Sequence, residues 1–106
     1  MRAVYYRDPQ GEEPVNVFTG SLPPKAQVAI DLQVDRLNML ADTDPPLPFP
    51  YSSQVEGELR ELRCHYESRL FRVLYRRSEQ LFVLLHIFEK RARSVPAAEV
   101  ALAAKR

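Results

Sequence analysis

The sequence has one cysteine, three glycines and no apolar run long enough to span a membrane. Each shortage excludes something. A lone Cys64 rules out an intramolecular disulfide and any cysteine-rich zinc site. Its apolar neighbours suit a buried structural thiol better than a nucleophile. Three glycines leave little for a phosphate-cradling loop, and no G-x-x-x-x-G-K-[ST], G-x-G-x-x-G or H-E-x-x-H occurs. No metal or cofactor is therefore expected. The start, MRAVYYRDPQG, lacks the apolar stretch of a signal peptide, so a cytoplasmic protein without membrane contact is expected.

What is present is ordinary globular material: 106 residues, 45% hydrophobic and 27% charged, expected to form one domain over 1–106. The net charge of +1 conceals a division. Residues 1–59 carry four basic and nine acidic side chains, whereas residues 60–93 carry nine basic and four acidic. A basic face for a polyanion or an acidic protein would explain this, and so would a solvated charged surface.

The apolar periodicity changes along the chain. RAVYYR (2–7) reads as a short strand closed by the Asp8-Pro9-Gln10-Gly11 turn. PVNVFTGSL begins with a helix-compatible proline at Pro14. KAQVAIDLQVDRLNMLA places Ala26, Ile30, Val34, Leu37 and Ala41 on one stripe, with polar residues expected opposite. Four prolines make 42–55 a connecting loop. ELRELRCHY, RLFRVLYRR and QLFVLLHIF then read as an antiparallel meander, and SVPAAEVALAAKR as a terminal helix. The order is β-α-α-β-β-β-α: an α+β fold with an antiparallel sheet core and its helices packed on one face.

Arg72 stands inside the apolar run LFRVLY. If Glu67-Ser68 forms a two-residue loop, Arg63 faces Arg72 directly across the hairpin. Leu62, Cys64, Tyr66, Phe71, Val73 and Tyr75 then make the core side. Glu61, Arg63, His65, Arg72 and Arg76 make the other. Two opposed arginines repel unless an anion lies between them or Glu61 screens them. Arg72 is thus either half of an anion site or a surface cation paired with Glu61. With Ser78-Glu79 as the next loop, His86 falls on the core side as a satisfied buried histidine. His65 is then the better proton acceptor. Lys90, Arg91 and Arg93 add cations at one rim.

ELR at 61–63, LFRVLY at 70–75, FVLLHIFEKR at 82–91 and Pro96 before the last helix resemble the HigB-like, phage-derived branch of the RelE/ParE toxin superfamily. The resemblance implies the toxin of a type II toxin–antitoxin pair, cleaving mRNA on the ribosome and neutralised by a small, helix-turn-helix antitoxin. It places catalytic cations at Arg63, Arg72, Lys90 and Arg91, without a cofactor. His65 is the candidate general base, because arginine has too high a pKa for that role. Arg60, Arg76 and Arg93 are candidate RNA contacts. The chain has Pro96-Ala97 where many relatives have a tyrosine, and Glu61 where some have lysine. A ParE-like gyrase inhibitor, an inactive toxin homologue and a small RNA-binding module are the alternatives. The last fits less well, since the open face lacks interleaved aromatics.

Overall fold

Two tight hairpins set the framework. In the computed structural model, which describes residues 1–90 and 95–106, β3 (Leu59–Tyr66), β4 (Arg69–Ser78) and β5 (Leu81–Glu89) form the meander. Tyr66 pairs with Arg69 and Arg63 with Arg72, which is the register a Glu67-Ser68 loop requires. The second loop is Glu79-Gln80, one residue later than expected, because Ser78 pairs with Leu81.

The sheet has five strands in the order β1-β5-β4-β3-β2. β1 (Arg2–Tyr5) runs parallel to β5, and every other pairing is antiparallel. β2 (Ser52–Glu56) corrects the expectation of an unstructured 42–55. The prolines end at Pro50, and the chain beyond is free to donate backbone hydrogen bonds to the edge of β3. The buried Ser52 hydroxyl also lies 2.7 Å from the Tyr75 hydroxyl.

The sheet is covered on both faces, which corrects the single-faced arrangement. α1 (Pro14–Gly20) and α2 (Pro24–Asn38) cover the side bearing Leu62, Cys64, Phe71, Val73 and Tyr75. α3 (Ala97–Lys105) covers part of the other, where Ala103 meets Leu59, Leu74 and Leu85. Strand alternation creates this second apolar patch, because Leu59 and Leu74 belong to the opposite set from Leu62 and Val73. The α+β class, the mostly antiparallel open sheet and the three helices are consistent with the RelE-like fold. Among the described residues no helix is long and apolar enough to cross a membrane.

A bulge on β5 decides which side His86 occupies. Tyr75 pairs with Leu84, but Leu74 pairs with His86, so Leu85 is an extra residue. The parity reverses there. His86 leaves the core side expected for it and, with Phe88, joins the face of Arg72 and Leu74.

Candidate functional site

The face bearing Arg72 is best described in rows across the sheet. Glu61, Leu74 and His86 form one row. Arg63, Arg72 and Phe88 form the next. His65 and Leu70 form the third, which the Lys90 amide extends by donating to the Leu70 carbonyl at 2.7 Å. α3 packs around the first row, against Leu74 and Leu85. Arg63, His65, Arg72 and Lys90 are therefore placed on neighbouring rows of one face.

The two opposed arginines have different environments. Arg72 is buried, with its Nε 3.1 Å from Glu61 Oε2 and both side chains about 5% exposed. Glu61 Oε1 accepts a hydrogen bond from Ser53 Oγ at 3.0 Å. The repulsion is thus met by the internal carboxylate, and Arg72 does not reach solvent as an ordinary surface cation would. Its pair forms one wall of an open cleft of about 430 Å³, shared with Ser53, Gln54, Val95 and Val100.

Arg63 is half-buried, with its guanidinium 4.7 Å from the centroid of the Phe49 ring. Its Nε is buried and has no hydrogen-bond partner among the described residues. Leaving such a donor unmatched costs about 1–3 kcal/mol. His65 is exposed, two residues farther along β3 on the same face. That separation is roughly 7 Å, a distance one phosphodiester can bridge.

The other predicted contacts do not join this group. Arg60 is on the opposite face, where its Nη2 donates to the Leu47 carbonyl at 2.9 Å and holds the proline-rich loop. Arg76 is exposed on the right face but lies beyond Leu74, roughly 13 Å along β4 from Arg72. Arg91 and Arg93 lie outside the described residues.

One cluster escaped the sequence. His86 Nε2 is hydrogen-bonded to Glu99 of α3, and Arg106 Nη1 lies 3.4 Å from His86 Nδ1 while donating to the Leu85 carbonyl at 2.7 Å. Both ring nitrogens are engaged, so this histidine fastens α3 to the bulged strand. Glu99 in the first turn of a helical pattern carries no such signal without the bulge. Cys64 is buried, and burial pushes its thiol up to about 12. Among the described residues no His, Cys, Asp and Glu group could hold a metal ion.

Residues 18–106 match a family model described as phage derived protein Gp49-like (DUF891). A search of curated proteins finds no match.

Proposed function

The chain belongs to the phage-derived Gp49-like family, and from that premise we propose that it is the toxin of a toxin–antitoxin pair, of the HigB-like RelE/ParE kind, acting as a ribosome-dependent endoribonuclease. The observation that carries the reading is the half-buried Arg63 guanidinium, whose Nε has no hydrogen-bond partner among the described residues, beside an exposed His65 on the same face of the sheet. RNA cleavage by its own 2′-hydroxyl needs a proton acceptor and stabilisation of the charge on a pentavalent phosphate. His65 takes the 2′-hydroxyl proton. Arg63 holds the phosphate oxygens with planar donors. Lys90 stabilises the departing 5′-oxygen, and Arg91 is a second candidate for that role.

Arg72 has a narrower part than a free clamp. With its charge balanced by Glu61, it holds the strand pair in register and presents a polarised edge to the substrate. Ribosome dependence fits this sparse set: an exposed histidine and a half-buried arginine need a substrate positioned by something else. The antitoxin is expected to be a small helix-turn-helix protein.

The same Arg72–Glu61 pair favours a second reading, a non-catalytic toxin that inhibits gyrase, or an inactive homologue. Primer extension on a defined mRNA, with and without purified 70S ribosomes, separates the two. Discrete cuts that require ribosomes support the nuclease. An uncut message from folded protein favours the binding toxin.

A further inference from the structure

α2 is apolar on two opposite sides. Ala26, Ile30 and Leu37 are buried against the sheet. Diametrically across the helix, Val28 is 57% exposed, Leu32 59% and Met39 82%. A helix covering only its own core would carry polar residues there, and the sequence pattern led us to expect them. Lys25, Val28, Leu32, Asp35 and Met39 instead follow spacings of three, four, three and four, the repeat of a helix–helix seam.

The charges at the ends of this seam say which partner it fits. Lys25 and Asp35 are exposed and make no ion pair among the described residues. Asp35 accepts only a local hydrogen bond from Asn38, at 3.3 Å. Consider two copies of α2 crossing antiparallel about a two-fold axis at Ile30. Val28 of each copy then meets Leu32 of the other, and Lys25 meets Asp35 at both ends. A parallel alignment would instead oppose lysine to lysine and aspartate to aspartate. The seam is complementary to itself in one orientation alone.

We propose that the chain self-associates through α2 as an antiparallel, two-fold symmetric dimer. Helices packed in this way lie about 8–10 Å apart. Such a contact buries roughly 1,000 Å² in total, at the small end of specific interfaces, so the dimer is weak and concentration-dependent. It leaves the opposite face of the sheet, with Arg63 and His65, open.

Sedimentation equilibrium between roughly 5 and 500 μM tests this, with dissociation constants expected on the order of tens of micromolar. Leu32→Asp should abolish the dimer while leaving the far-ultraviolet circular dichroism unchanged, since the residue is exposed. Lys25→Glu places two like-charge pairs in each dimer and should weaken it by about tenfold. Lys25→Glu combined with Asp35→Lys restores both pairs and should recover most of the affinity. A chain that stays monomeric throughout overturns the proposal and leaves the seam to a different protein. So does a dimer insensitive to Leu32→Asp, or a charge exchange that rescues nothing.

Discussion

Arg72 Nε lies 3.1 Å from Glu61 Oε2, in an ion pair that is almost wholly shielded from water. The two side chains come from adjacent strands, offset diagonally, because Arg72 pairs in register with Arg63 and Glu61 with Leu74. A mid-strand cation is tolerated here because its counter-charge is built into the neighbouring strand.

Removing one partner should therefore be costly. Glu61→Gln removes the carboxylate beside a buried guanidinium, and the expected loss is about 3–5 kcal/mol in urea unfolding. Arg72→Met should cost a similar amount. The double variant should lose far less than the sum of the two, and a double-mutant cycle reads that coupling directly.

Three two-residue turns share one backbone feature. Gly57, Glu67 and Glu79 have φ of 55°, 53° and 56°, each at the first turn position. Glycine adopts this left-handed geometry freely, whereas a side chain there is strained by roughly 1–2 kcal/mol. Part of that gain is offset by the greater freedom of glycine in the unfolded chain. Glu67→Gly and Glu79→Gly should each stabilise by about 0.5–1 kcal/mol in urea titrations. Gly57→Ala should shift the midpoint the other way.

α3 is attached by few groups, of which His86–Glu99 is the principal polar one. Glu99→Ala should release it locally, at a cost of about 1–3 kcal/mol. Amide exchange in residues 97–105 should accelerate, while the protection of β3 and β4 stays unchanged. Uniform acceleration through the sheet would mean that α3 is part of the global core instead.

The Cys64 thiol should be inert in the folded protein at pH 8. Burial raises it from 9.0 to about 12, so the thiolate is scarce, and Ellman's reagent should react only after unfolding. The sign of the linkage is definite. The neutral thiol is favoured in the fold, so its contribution is fully present below pH 9 and is lost as pH rises from 9 towards 12. Cys64→Ser should flatten the part of the alkaline stability profile that this thiol supplies.

The first hairpin was legible because a two-residue loop fixes register, and register fixes which side chains share a face. The pairing of Arg63 with Arg72 follows from that alone. His86 was not legible, since the bulge at Leu85 reverses parity and leaves no mark in the apolar pattern. β2 was hidden by the prolines just before it. The outer stripe of α2 is present in the sequence, but a second apolar stripe on a helix carries no mark of which of the two faces the sheet. Val28 and Leu32 thus stand where polar residues were expected. Nor could the fate of Arg72 be read, because solvation depends on the depth of the pair beneath Ser53 and α3.

The most direct measurement is the ribosome-dependent cleavage rate of a defined mRNA under single-turnover conditions, comparing the wild type with Arg63→Ala and Arg63→Lys. A phosphate held by the Arg63 fork predicts a loss of about 10²–10³ for alanine, with only partial recovery by lysine. Wild-type rates in both variants, or no cleavage by any folded form, would contradict an RNA-cleaving site at this end of the sheet.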